Sequence, residues 1–305
     1  MRTAYYTSDM HYEHRVDNDH PEHALRILSI EQTLKAENQW DSLLHCSAKA
    51  AQLSDVYRAH TQGYVDQLKR ISPEQGRIFV DPDTSMATGT YAAALAAAGC
   101  VTGALDCLLA DDFQHAFAAV RPPGHHAEHK QAMGFCFFNN VAIAARRATQ
   151  QHHLMRVAIL DFDAHQGNGT IDILQNDTHV LMCSSFQHPF YPNKHYNVGQ
   201  INNLVNVPLL AGTKGPEFRE LLNQHWWPAL RSYAPQLIIV SAGFDAHVAD
   251  PMAELGLDNS DYAWLGEQIA GYAKEKDIPV LSVLEGGYNL SVLGKSVAAY
   301  LAPFS

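Results

Sequence analysis

The sequence predicts an α/β fold: a central, mostly parallel sheet with helices on both faces. Three observations carry that prediction. Short aliphatic runs such as Val157-Ala158-Ile159-Leu160 are apolar at every position, the pattern of strands covered on both sides. These runs alternate with longer helical patterns, the chain order that yields parallel strands joined by crossover helices. Segments rich in Gly, Pro, His and Asp follow them, where open α/β sheets gather ligands beyond the strands' carboxyl ends.

Taken in order, Asp19-His20-Pro21-Glu22 caps a helix over 24–35 that contains Arg26. The Ala-rich stretch from Ala87 to Ala98 reads as a buried or close-packed helix, overlapping a helical pattern over 91–109. A strand over 116–120 leads to a helix over 141–149, and the strand 157–160 is followed by another over 180–184. A helix over 216–232, a strand over 237–241 and a helix over 262–275 come next, then a strand over 280–284 and a closing helix over 290–301.

With 305 residues, 47% of them hydrophobic, the chain is expected to form one large domain over residues 1–305, and no linker, repeat or low-complexity tract divides it. No apolar run is expected to reach the roughly 18 residues of a membrane span, so no membrane association is anticipated. The first seven residues do not resemble a secretory signal, which points to a cytoplasmic location. A net charge of −11 without a Lys/Arg cluster argues against direct nucleic-acid binding. Five cysteines with no Cys-x-x-Cys pair read as reduced core residues, and 18 histidines point toward metal or acid–base chemistry. The oligomeric state is left open.

The chemistry sits at the strand ends. Asp163 and His165 follow the 157–160 run two residues apart, and positions i and i+2 of an extended segment point the same way, so a carboxylate and an imidazole can converge on one divalent ion. Val120 is followed by Arg121-Pro122-Pro123-Gly124-His125-His126, Ser241 by Ala242-Gly243-Phe244-Asp245, and Leu284 by Glu285-Gly286-Gly287-Tyr288. If the sheet is parallel, all four ends meet at one rim. His125-His126-Ala127-Glu128-His129 also satisfies a zinc-peptidase pattern, but that reading needs a helix to bring His125 and His129 onto one face.

These motifs, with Gly134-Phe135-Cys136-Phe137-Phe138-Asn139-Asn140 and Asp161-Phe162-Asp163-Ala164-His165, resemble the zinc-dependent histone deacetylase family, most closely its class II and bacterial relatives. The resemblance runs from Asp19 to Leu290 with the motifs in family order. It implies a single arginase-like α/β domain. Residue by residue, it implies Asp163, His165 and Asp245 as ligands of one catalytic Zn2+. Two carboxylates and one imidazole suit a Lewis-acidic divalent ion, and the absence of thiolate leaves Fe(II) or Co(II) open. It implies His126 as general base, with Asn168 as its partner, and His125 as an orienting group paired with Asp161. Tyr288 would donate to the developing oxyanion.

The resemblance further implies Gly134, Phe135 and Tyr191 along a narrow channel for the stem of an acyl-lysine, and it offers Arg26 an internal channel as the alternative to a solvated helix charge. Asp161, Ser185 and backbone carbonyls near Asp163, His165 and Phe186 match a structural K+ site. Asp83, beside Pro82, either anchors substrate backbone at the rim or forms a turn. Two departures stand out: Gln166 occupies a position that is frequently histidine, and Asn193-Lys194-His195 replaces a common Gly-Thr-Gly after Tyr191-Pro192. The implied activity is removal of acetyl or short acyl groups from Nε-acyl-lysine in proteins or peptides. Rivals are an acetylpolyamine or small-amide deacetylase and a non-catalytic acyl-lysine reader. Polyamine-preferring relatives carry an acidic residue where this chain has Met252, which offers apolar contact and no charge.

Overall fold

The computed structural model describes residues 2–194 and 199–304, so His195 of the departing loop lies outside the described residues. In chain order the described strands are β1 (Thr3–Tyr6), β2 (Leu44–Cys46), β3 (Arg77–Asp81), β4 (Thr84–Ala87), β5 (His115–Ala118), β6 (Val157–Asp161), β7 (Val180–Gln187), β8 (Gly199–Ile201), β9 (Leu204–Leu209), β10 (Leu237–Ala242) and β11 (Val280–Leu284). The helices are α1 (Leu25–Ala36), α2 (Leu53–Val56), α3 (Gln62–Ile71), α4 (Thr90–Leu109), α5 (Asn140–Gln150), α6 (Asn168–Leu174), α7 (Gly215–Tyr233), α8 (Asn259–Lys276) and α9 (Leu290–Leu301).

Nine of these strands form one sheet in the order β2-β1-β5-β11-β10-β6-β7-β9-β8, while β3 and β4 make a separate hairpin. All pairings in the main sheet are parallel except β8 with β9 at one edge. The strands β5, β11, β10 and β6 are consecutive in that order, so the four chemistry-bearing ends do emerge side by side. Register aligns them closely, with Ser241 opposite Asp161 and Ala242 opposite Leu284.

Alternation along the strands feeds two cores. In β6, Ala158 and Leu160 face the core built with α1, α7, α8 and α9, while Val157 and Ile159 face the one built with α3, α4 and α5. The helices end on local signals: Asp258 and Asp261 form a reciprocal capping box at α8, and Asn289 caps α9 through its side chain.

One expectation is corrected. Within the 20 residues of α4 an 18-residue stretch reaches a mean hydropathy of 1.8, long and apolar enough by length and composition to cross a membrane. About two thirds of that stretch is buried against the rest of the chain, as in a core helix, because its alanines and glycines allow close packing.

Candidate active site

Beyond the end of β6 the chain makes a tight polar turn. The backbone N–H of Asp163 donates to Asp161 Oδ1 at 3.1 Å, and that of His165 donates to Asp163 Oδ1 at 2.9 Å. The loop after β10 brings Asp245 against it, its Oδ1 accepting from Ala164 N at 2.9 Å. Asp163, His165 and Asp245 thus come together, buried, with one candidate ligand atom from each lying within 4.8 Å of the others. His165 Nδ1 faces Asp163 Oδ1 at 3.1 Å and Asp245 Oδ2 at 3.0 Å. Its Nε2–H donates to the carbonyl of Met252 at 3.0 Å, which leaves the Nδ1 lone pair for a ligand role.

The donor set fits a divalent cation. Burial and the Asp163 carboxylate push Asp245 up to about 7. Burial alone would lower His165, but its bonds to Asp163 and Asp245 raise it well above the usual imidazole value. Two carboxylates around one ring call for positive charge there. The surroundings are shaped to match: a Cβ on Gly286 would overlap the Asp245 and Asp163 carboxylates, so only glycine lets that loop close over them.

His125 and His126 follow β5 on a loop, with no helix over 125–129, and His129 turns away to the carbonyl of Ala59 at 2.9 Å. The peptidase reading therefore has no geometry behind it. His125 Nδ1 meets Asp161 Oδ2 at 3.1 Å. Burial pulls His125 down, but Asp163, Asp161 and Glu285 outweigh it and push it up to about 10. His126 Nδ1 meets Asn168 Oδ1 at 2.7 Å, and burial followed by the neighbouring His125 and His165 holds His126 well below 6.5. The paired rings therefore differ, one poised to be charged and the other neutral.

Above this group lies a cavity of about 210 Å³, whose lining includes His126, His165, Gly134, Phe135, Tyr191 and Tyr288. Asp83 and Met252 border it as well, so the expected channel residues are gathered in one place. A larger depression of about 640 Å³ shares no residue with it and lies away from the metal-ligand group, so volume does not identify the site. The rings of Phe135 and Tyr288 meet edge to face, their centroids 6.0 Å apart. Gly134 has φ +55 and a Cβ there would strike the His126 ring, which fixes glycine at the channel wall. Burial drives the Tyr288 hydroxyl well above 10, so it stays a donor at neutral pH.

Other expected positions divide. Asp83 accepts from its neighbour Thr84 Oγ1 at 2.8 Å while bordering the cavity, which accommodates both of its readings. Gln166 is buried and does not line the cavity. Arg26 is fully buried, not solvated: it donates to the carbonyls of Gly287 and Glu285 and lies 4.8 Å from the centroid of the Tyr288 ring. The Ser185 hydroxyl is buried without a hydrogen-bond partner among the described residues, and Phe186 is buried near it in β7.

Sequence reasoning missed several residues. Phe190 stacks on His165 at 5.4 Å between centroids, four positions beyond Phe186 in a loop without periodicity. Glu285 accepts from the backbone N–H groups of Gly124 and His125, and burial raises it to about 7. Asp250 ties the Tyr288 turn to the Met252 segment, its carboxylate accepting from Tyr288 N at 2.6 Å, Asn289 N at 3.0 Å and Met252 N at 3.0 Å. Its place beside proline was the available signal.

The histone deacetylase domain model matches residues 20–303. A probable deacetylase of Archaeoglobus fulgidus is 35% identical over 95% of this chain and 82% of its own length. The histone deacetylase-like amidohydrolase of Pseudomonas aeruginosa is 35% identical over 80% of this chain and 66% of its own length. The crystal structure of the HDA15 HD domain superposes with a TM-score of 0.92 at 29% identity, covering 99% of this chain and 89% of that one. The sheet order, the strand-end site and these likenesses agree, and the chain belongs to the histone deacetylase family.

Proposed function

We propose that this deacetylase-family protein is a zinc-dependent amidohydrolase that removes acetyl or short acyl groups from Nε-acyl-lysine in proteins or peptides. The observation that carries the reading is a three-ligand group, Asp163, His165 and Asp245, at the base of a narrow cavity that His126 and Tyr288 share. A divalent ion held there supplies Lewis acidity, polarising the amide carbonyl and lowering the pKa of a water from about 15.7 toward about 7.

The chain's own residues do the rest. With Nδ1–H committed to Asn168, His126 presents an unprotonated Nε2 that takes the proton of the attacking water and returns it to the leaving amine. His125, donating to Asp161, holds positive charge beside the reacting carbonyl. The Tyr288 hydroxyl donates to the carbonyl oxygen as negative charge develops on it. Phe135 and Tyr191 grip the aliphatic stem and exclude water. Zinc suits the oxygen and nitrogen donor set, and the orphaned Ser185 hydroxyl supports a second, monovalent cation such as K+ behind Asp161.

Met252 supports lysine over polyamine, because a thioether at the mouth gives a second ammonium group no partner. Metal-reconstituted protein should show higher kcat/KM for acetyl-lysine peptides than for acetylspermidine at matched ionic strength. Met252→Glu should move that ratio toward the polyamine by about tenfold or more. A wild-type preference for acetylspermidine would overturn the lysine reading in favour of the small-molecule one.

A further inference from the structure

The rim loop that departs from the family pattern reaches the catalytic machinery through three contacts. Lys194 Nζ donates to Glu128 Oε1 at 2.7 Å. The same Glu128 oxygen accepts from Asn168 Nδ2 at 2.7 Å, and Asn168 Oδ1 in turn faces His126 Nδ1 at 2.7 Å. Asn168 is fully buried, so the surrounding protein atoms must satisfy its amide.

An asparagine amide can sit in two orientations that exchange donor and acceptor, whereas a carboxylate only accepts. Flipping Asn168 would set its oxygen against Glu128 Oε1 and its NH2 against His126 Nδ1. The first contact becomes repulsive, and the second forces the imidazole proton onto Nε2, the atom that must be free to act as base. An aspartate at position 168 would have no such ambiguity. We propose that Glu128, held by Lys194, is a positioning residue that fixes the Asn168 amide and thereby the Nδ1–H tautomer of His126, so that the channel-mouth loop governs the general base.

The inference rests on His126 being the base of the proposed deacetylation, but its first readout needs no substrate. NMR of the imidazole nitrogens in the zinc-loaded protein, with His126 assigned by difference from His126→Ala, should show a single Nδ1–H tautomer in wild type. Glu128→Ala should show a mixture. In acetyl-lysine peptide turnover Glu128→Ala should lose about 10- to 100-fold in kcat, in the range of lost supporting contacts, with KM within about 3-fold. Lys194→Met should lose a smaller factor of about 3 in the same parameter.

Asn168→Asp supplies an acceptor in either orientation and should restore Glu128→Ala to within about 5-fold of wild type. If Glu128→Ala does not fold, Glu128→Gln and Asn168→Asp complete a cycle instead. Asn168→Asp alone sets a second carboxylate beside Glu128 and should be impaired by repulsion. Adding Glu128→Gln should relieve it, so the two changes must be strongly non-multiplicative in kcat. An unchanged tautomer in Glu128→Ala, or independent effects at 128 and 168, overturns the proposal. A wild type inactive on acyl-lysine would sink the lysine-deacetylase reading and leave the tautomer measurement standing.

Discussion

At the scale of single residues, Asp245 and Tyr288 border the same reacting centre but should fail in different ways. Asp245 is a ligand in the proposed site, and its loss removes one of three donors along with the acceptor for Ala164 N. In the proposed reaction Tyr288 acts only as charge develops on the carbonyl oxygen. Asp245→Ala should therefore lose both bound zinc and turnover, whereas Tyr288→Phe should keep about one zinc per chain and lose on the order of 10²-fold in kcat with little change in KM. Elemental analysis beside steady-state kinetics checks both, and full zinc content in Asp245→Ala would remove that residue from the ligand set. Both residues were legible in the sequence because strand-end motifs carry their chemistry in adjacent letters. Glu128, Phe190 and Glu285 were not legible as site residues, since their roles arise from contacts made across loops, such as the bond joining Glu128 to Asn168 forty positions away.

At the scale of elements, packing between α1 and α9 shows how the scaffold holds the site. Gly294 of α9 faces α1 so closely that a Cβ would overlap Thr33 Oγ1 and the carbonyl of Ser29. The approach seats Arg26 of α1 under the Gly286-Gly287-Tyr288 turn, where it donates to the Gly287 carbonyl at 2.6 Å. Gly294→Ala must push the helices apart, at a cost of about 1–3 kcal/mol by analogy with overpacked cores. Thermal melts should show a Tm lower by several degrees with zinc stoichiometry retained, and an unchanged Tm would mean that the helices yield freely. Long elements were readable for the reason that they are stable here: α9 and β11 match their expected limits because apolar runs are bounded by Gly, Pro and Asn signals. Some short ones escaped, although β5, no longer than β1, was readable from the apolar run over 116–120. Strand β1 has four residues and β2 three, too few for a period, and Pro208 within β9 reads as a strand breaker although that strand pairs with β7 and β8.

Across the whole molecule, the central strands are tied to both outer segments of the chain through one buried imidazole. His115 of β5 is fully buried, its ring stacked on Phe304 with centroids 3.8 Å apart. Its Nδ1 lies 3.2 Å from Thr3 Oγ1, which itself donates to the Phe304 carbonyl at 2.9 Å and so must accept from Nδ1–H. On the other side Nε2 meets Ser282 Oγ at 3.1 Å, and Ser282 is bonded to the Tyr300 hydroxyl at 2.8 Å. With a neutral ring the bonds run one way, Tyr300 donating to Ser282 and Ser282 to Nε2, whereas a protonated ring would reverse those two. Burial accordingly lowers His115 to about 3. The folded value lies below the unfolded value of about 6.5, so between those limits the unfolded chain binds the extra proton. The stabilisation is full above about pH 6.5 and is lost as pH falls toward 3, with a slope of up to about 1.4 kcal/mol per pH unit from this group. His60 adds to the same window, lowered to about 4 by burial, with Nε2 accepting from Asn139 N at 2.9 Å. Urea unfolding of chelator-treated protein between pH 7 and 4.5, which keeps metal loss out of the comparison, should show wild type losing stability relative to His115→Gln as acidity rises. That loss comes on top of the opposite slope that Asp245 and Glu285, raised to about 7, give to both proteins. His115→Gln should start lower, because the stack on Phe304 is lost, and the two curves should approach each other in acid. Parallel curves would show that His115 titrates alike in the folded and unfolded chain, and the one-way chain of bonds from Tyr300 to Phe304 would have to be abandoned.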